Sequence, residues 1–141
     1  MSWAAVAVAA VSAIATGITA YSANKTASDQ AEADADAAKA SGRLEAERIR
    51  KEKAKVQSAA RAQAAENGLS VNEGTTVTIN DKIEQDAQYD AAMSEISGFN
   101  SSQRLKGQAS IYKSNANSAL VTGAANAAND GYRAYKSGGW K

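Results

Sequence analysis

The stretch NGLSVNEGTT, residues 67–76, interrupts a chain of 141 residues that contains no proline. Gly68 suits the C-terminal cap of a helix, because glycine adopts the left-handed conformation without strain. Gly74 closes an Asn-Glu-Gly triplet that is typical of a turn. Residues 24–66 before the stretch and 77–136 after it are rich in Ala, Glu, Lys, Gln and Arg, which favour helix. The sequence therefore predicts two long helices joined by a bend.

The composition predicts how these helices pack. Alanine supplies most of the apolar side chains, with only one Phe and two Trp in the chain. Alanine buries little area, so a thick globular core is excluded, whereas long helices in close contact are favoured. We expect an all-α fold: a long antiparallel helical hairpin that forms one elongated helical unit over residues 1–141 and assembles into a helical oligomer. Residues 137–141, SGGWK, are expected to be a flexible tail.

One face of the first polar helix carries small or apolar residues with a mean spacing of about 3.67 residues, which is typical of an eleven-residue repeat. This stripe consists of Ala31, Ala35, Ala38, Gly42, Ala46, Ile49, Lys53, Val56, Ala60 and Ala64. Lys53 is the one charged residue in this otherwise small or apolar stripe. Because alanine is frequent throughout, other registers stay open. We predict that the stripe contacts the second helix.

Charge patterning supports a fold-back. If the chain doubles back at Val71, the basic residues 47–61 face the acidic residues 81–95, while Glu32 and its acidic neighbours lie across from Lys113. Exposed ion pairs contribute only ~0.2 to 1 kcal/mol each, so these charges select orientation and register. Charge clustering on solvated faces is the alternative. The predicted inter-arm charges are Arg48, Lys51, Lys55 and Arg61 against Asp81, Asp86, Asp90 and Glu95.

Residues 3–23, WAAVAVAAVSAIATGITAYSA, carry no charge and form a candidate membrane or packing helix. The segment from Trp3 to Tyr21 is ~27 Å long as a helix, close to the ~30 Å hydrocarbon thickness of a bilayer. Small residues at four-residue spacing allow close helix contacts, and they are Ala9, Ala13 and Gly17. Alanine-rich helices insert weakly, which favours conditional insertion. Alternatively, the same residues pack against neighbouring protein chains.

The fold-back places this apolar segment beside residues 114–129, SNANSALVTGAANAAN, which also carry no charge. One face of that helix is small or apolar, and another is uncharged and polar. Such a helix is suited to pack against a neighbour through its apolar face while its polar face contacts water. Trp3 would then lie near Trp140. In a ring of several copies, the polar face of this helix would line the central lumen. The residues predicted to face that lumen are Asn115, Ser118, Thr122, Asn126 and Asn129.

Histidine and cysteine are both missing, so most zinc sites and the usual nucleophile and base pairs are excluded. No phosphate-binding loop or nucleophile elbow is present. We therefore expect neither an enzyme nor a metal or cofactor site. The formal net charge is +1, which does not indicate general attraction to DNA. The basic run RIRKEKAK, residues 48–55, could bind nucleic acid or phospholipid, but pairing with the acidic arm is favoured.

The run AAKASGRLEAERIRKEKAKVQSAARAQAAENGLSV, residues 37–71, and the run IYKSNANSALVTGAANAA, residues 111–128, follow a small apolar N-terminus. This layout resembles the small internal virion proteins of short-tailed bacteriophages, also called core or ejection proteins. The chain looks shorter than many members of that family, which puts any extra domain in doubt.

The resemblance implies a location inside the virion, in the capsid or tail, and release into the host cell envelope at infection. There the protein would oligomerise with other ejection or tail proteins as part of a channel across the outer membrane and periplasm. The residue pattern agrees, since several copies of the hairpin could form a ring with a wet, uncharged lumen. The implied partners are therefore copies of itself, other virion proteins and the host membrane, while translocating DNA passes without specific binding.

Two other functions stay open. The first is a structural helical adaptor of the virion tail or core with no membrane role. The second is a holin-like lysis protein, which is disfavoured because the polar arms are long and the second uncharged stretch is rich in asparagine.

Overall fold

The computed structural model describes the backbone of residues 3–136 and the side chains of residues 11–136. Over that range the chain is helical, with α1 at Trp3–Glu66 and α2 at Thr75–Lys136. The two helices contain 64 and 62 residues. The apolar segment and the first polar arm are therefore parts of one uninterrupted helix. The predicted tail, residues 137–141, lies outside the described residues.

Helix α1 ends at the predicted cap. Gly68 has a φ of 73°. Its N–H donates to the Ala65 carbonyl at 3.0 Å, and the Leu69 N–H donates to the Ala64 carbonyl at 2.9 Å. This pair of bonds is the Schellman motif, which satisfies the last carbonyls of a helix and needs a left-handed residue at its centre. The bend is thus encoded by Gly68.

Helix α2 starts slightly earlier than the sequence predicts. Gly74, with a φ of 63°, accepts the first helical hydrogen bond from the Thr78 N–H at 3.3 Å. The sequence places the first residue of this arm at Thr76 or Thr78, and the helix begins at Thr75 with no acidic residue in its first turn.

Two compact units divide the chain. Residues 34–104 form the first, called here the bend unit, and residues 1–33 with 105–141 form the second, called the terminal unit. In each unit a segment of α1 packs antiparallel against a segment of α2. The buried side chains are small throughout: they are Ser28, Ala31, Ala35, Ala46, Ala91, Ser102, Ala109, Ala116 and Ala134, together with Thr76 and Asn80.

The predicted stripe on α1 follows this seam of buried residues with one exception. Val56 is 51% exposed, and Gln57 occupies the half-buried position instead. The Gln57 side chain donates to the Asn80 carbonyl at 3.3 Å. Lys53, the charged residue of the stripe, is half-buried along its stem and brings its ammonium to the Glu84 carboxylate at 3.1 Å. A long amphipathic side chain can therefore occupy a seam position while its charge stays at the rim.

Facing glycines mark the closest approach of the helices. In the bend unit, a methyl group at Gly42 would lie 2.9 Å from the Gly98 Cα and 2.7 Å from the Ser94 carbonyl oxygen. In the terminal unit, a methyl group at Gly17 would lie 3.1 Å from the Gly123 Cα. Both glycine pairs are centred on residue 70, one residue from the predicted pivot. The predicted fold-back is therefore present within each unit, and its register differs slightly from the prediction, since the numbers of the facing glycines add up to 140 instead of 142.

The contact at Gly42 leads to a stability prediction. We expect Gly42→Ala to lower the free energy of unfolding by about 1 to 3 kcal/mol, because the added methyl group forces the two backbones apart. Gly107 is a matched control, since it lies within α2 and nothing is within 4 Å of a methyl group placed there. Gly107→Ala should raise the free energy of unfolding by up to about 1 kcal/mol through helix propensity alone. Urea denaturation followed by circular dichroism measures both, and equal stabilisation by the two substitutions would contradict the close contact.

Candidate functional site

The proposed lumen residues form one exposed face of α2 in the terminal unit. Asn115, Ser118, Thr122, Asn126 and Asn129 are all exposed, and they recur every three or four residues. The seam lies elsewhere on the same helix, where Ala116 and Gly123 are buried. The structure therefore brings the five predicted residues together on one uncharged polar surface.

The apolar segment of α1 presents two faces in the terminal unit. Gly17 is buried against Gly123, while Ala13 and Tyr21 are half-buried. Large apolar side chains point outward, and they are Val11, Ile14 and Ile18. The remaining predicted residues, Trp3 and Ala9, lie outside the described side chains, as does Trp140 with its expected contact to Trp3. The segment thus uses its small residues for the partner helix and exposes its larger ones.

Polar contacts also join the helices of the terminal unit. The buried Ser28 Oγ donates to the Ala109 carbonyl at 3.1 Å. The Lys113 ammonium forms an ion pair with Glu32, so the expected opposition of these charges is present. The hydrogen bond to Glu32, followed by its negative charge, raises the pKa of Lys113 above its ordinary value.

Two ion pairs join the helices of the bend unit. Arg50 donates to Glu95 at 2.8 Å, and Lys53 donates to Glu84 at 3.1 Å. Hydrogen bonding from Lys53 and the charge of that lysine lower the pKa of Glu84, with a further contribution from Gln88. Both pairs lie at the rim of the seam, where solvent screens them.

The predicted inter-arm charges need correction. Of the eight, Glu95 alone forms an ion pair with the other helix among the described side chains. Arg48 pairs instead with Glu45 on its own helix at 2.7 Å, and this hydrogen bond raises the pKa of Arg48. The others are exposed and form no ion pair within the described chain, namely Lys51, Lys55, Arg61, Asp81, Asp86 and Asp90. The helices do place segments of opposite sign side by side, but these side chains leave their helices away from the seam.

Sequence reasoning missed an exposed apolar surface on α2. Tyr89, Met93 and Ile96 are spaced by four and three residues and are all exposed in the bend unit. Beside them runs a shallow groove whose floor includes Gly42, Gly98 and several serines. The spacing of these large side chains was a readable signal, since it is the spacing of a helix face that contacts a neighbour.

Among the described residues, no helix contains a stretch that is both apolar enough and long enough to cross a membrane. The same part of the chain holds no group of three or more acidic side chains positioned for a metal ion.

Comparison of the chain with protein-family models, with curated proteins and with solved structures gives no match. The resemblance to phage internal virion proteins therefore stays a prediction that rests on the two runs quoted for it.

The Lys53–Glu84 pair leads to a pH prediction. Because folding lowers the pKa of Glu84, the pair stabilises the fold above the unfolded pKa of about 4.3, and this contribution is lost as the pH falls through the folded pKa. Thermal midpoints of the wild type and Glu84→Gln should therefore differ at neutral pH and converge once the pH has fallen below the folded pKa of Glu84.

Glu73 provides a matched control, since it forms no ion pair among the described side chains. Glu73→Gln should leave the midpoint close to that of the wild type at every pH. A difference between wild type and Glu84→Gln that stays constant across the acid range would contradict the assigned role of the pair.

Proposed function

We propose that the chain is an internal virion protein of the ejection type, which a short-tailed bacteriophage releases into the host cell envelope. Several copies then form part of a channel through which the DNA passes, at the outer membrane. The observation that carries this proposal is the uncharged polar face of α2, Asn115 to Asn129, on a helix that packs closely against α1 through a different face.

The chemistry of that face suits the passage of DNA. Proteins hold the phosphate backbone mainly through Lys and Arg, and residues 114–129 contain neither. Asparagine, serine and threonine side chains keep a pore wetted through hydrogen bonds to water. Translocating DNA would meet a hydrated wall without a strong electrostatic trap, and would not be bound specifically.

The outward apolar residues of α1 support an environment other than water around the terminal unit. Val11, Ile14 and Ile18 recur at helical spacing and are exposed although smaller residues nearby are buried. Such a face fits either lipid or a neighbouring subunit, and it adjoins residues 3–10 in the uncharged segment. Its partners are therefore further copies, other virion proteins or the host membrane.

A structural adaptor of the virion tail or core is the second candidate function. The same exposed apolar faces favour it, since they fit the surfaces of larger virion proteins as well as lipid. Liposome flotation separates the two functions: an ejection protein rises with the vesicles, and an adaptor stays in the soluble fraction. A holin-like protein is less favoured than either of these functions, and toxicity on expression would revive it.

The polar face leads to a conductance prediction. We expect Thr122→Leu combined with Asn126→Leu to abolish ion conductance in liposomes, because leucine side chains cannot form the hydrogen bonds that hold water in the lumen. Assembly should be retained, because both positions are exposed. Ala124→Leu combined with Ala128→Leu is the matched control, since these exposed residues lie on a different face of α2. The control should conduct as the wild type does. Unchanged conductance of the first variant would remove the lumen assignment.

A further inference from the structure

Four exposed residues of α1 in the bend unit form a single outward stripe. Leu44, Arg48, Lys51 and Lys55 are separated by four, three and four residues, which places them on one face of a helix. Leu44 is 67% exposed. Lys51 and Lys55 form no ion pair within the described chain. This basic stripe therefore ends in a large apolar side chain that is mostly uncovered by the described part of the chain.

A stripe with the same spacing and the opposite charge runs along α2. Asp86, Asp90, Met93 and Ser97 are all exposed, and neither aspartate forms an ion pair within the described chain. Met93 is 47% exposed. The last two residues of this acidic stripe line a shallow concavity, whose other walls are Ile96, Asn100, Ser101 and Arg104.

The two stripes match each other residue by residue when they run antiparallel. Both stripes have the spacing four, three and four, so an antiparallel pairing in which the residue numbers add up to 141 sets each residue of one stripe opposite a residue of the other. The facing pairs are then Leu44 with Ser97, Arg48 with Met93, Lys51 with Asp90 and Lys55 with Asp86.

We propose that the basic stripe of one chain docks on the acidic stripe of a second copy of the same chain. Lys51 and Lys55 form ion pairs with the partner's Asp90 and the partner's Asp86. Leu44 inserts into the concavity beside the partner's Met93, as a knob enters a hole between helices. The Arg48 stem lies over the same methionine, and its charge stays at the rim.

The opposite charges of the two stripes favour a second copy as the occupant, and the exposed area leaves room for one. The folded chain exposes 9985 Å². A globular monomer of 14.5 kDa is expected to expose roughly 6,900 Å². The excess of about 3,000 Å² is more than the ~1,600 Å² that a standard stable interface buries. An additional chain can therefore be accommodated on surface that folding has left uncovered.

In its heterologous form, each copy offers its basic stripe to one neighbour and its acidic stripe to the other. Such contacts close into rings when the rotation per subunit allows, and otherwise extend as filaments. This contact specifies how the homo-oligomer of the proposed function would assemble, and it requires only that the chain associates with itself. A test in solution, without lipid or DNA, keeps its failure separate from failure of the channel.

Charge reversal with mixing tests the interface. One variant carries Lys51→Glu and Lys55→Glu, and the other carries Asp86→Lys and Asp90→Lys. Each alone should self-associate at least about tenfold more weakly than the wild type in sedimentation equilibrium at low salt, because like charges then face each other. The equimolar mixture should recover association, because every contact then joins one variant with the other.

The matched control is Arg43→Glu with Arg61→Glu, which changes the net charge of α1 equally at exposed positions off the basic stripe. It should associate as the wild type does, and circular dichroism verifies that each variant is helical. A monomeric wild type across the micromolar range, variants that associate normally, or a mixture that stays monomeric would each overturn the proposal.

Cysteine crosslinking provides an independent readout, since the native chain contains no cysteine. A Leu44→Cys chain oxidised together with a Ser97→Cys chain should give a covalent heterodimer, and a Leu44→Cys chain with a Gln88→Cys chain should give far less. Equal yields from the two mixtures would overturn the proposed register.

Discussion

Close contact between backbones is the constraint on which the rest of this structure depends. Gly42 faces Gly98, and Gly17 faces Gly123. The pair of Gly42 and Gly98 is the tighter one, and a methyl group placed at either glycine would lie closer to the facing helix than an ordinary van der Waals contact. Helices that approach so closely bury alanine and serine and leave larger side chains outside. Dispersion contacts along two long seams and a few hydrogen bonds then hold the helices together, since little apolar area is available.

The same constraint explains why the outer surface is richer in large apolar residues than the interior. Met93, Ile96 and Phe99 are exposed, while the seam beside them buries Ala91 and Gly98. In the proposed function, a chain organised in this way completes its packing through neighbours, which are further copies, other proteins or lipid. Ion pairs at the rim of the seam, such as Arg50 with Glu95, join the helices within a chain, and the basic and acidic stripes carry the contact that we propose between chains.

Much of the fold could be predicted from the sequence. Gly68 identified the cap, charge patterning identified the pivot to within one residue, and the eleven-residue spacing identified most of the seam. The errors have a common cause. Charge sign indicates which segments lie side by side, but the direction in which a side chain leaves its helix decides whether a pair forms, so Lys51 and Asp86 stay unpaired. Likewise, Val56 was preferred for its hydrophobicity, whereas the phase of the repeat selects Gln57.

The antiparallel fold-back is the central claim, and the distance between spin labels at Ala54→Cys and Gln88→Cys tests it most directly. Both positions are exposed and lie at nearly equal distances from the pivot. Pulsed electron paramagnetic resonance on labelled chains diluted with unlabelled ones should give a short distance, set by the ~8–10 Å interaxial spacing of packed helices plus the label arms. A distance near 51 Å, the length of a continuous helix between the two sites at 1.5 Å per residue, would contradict it.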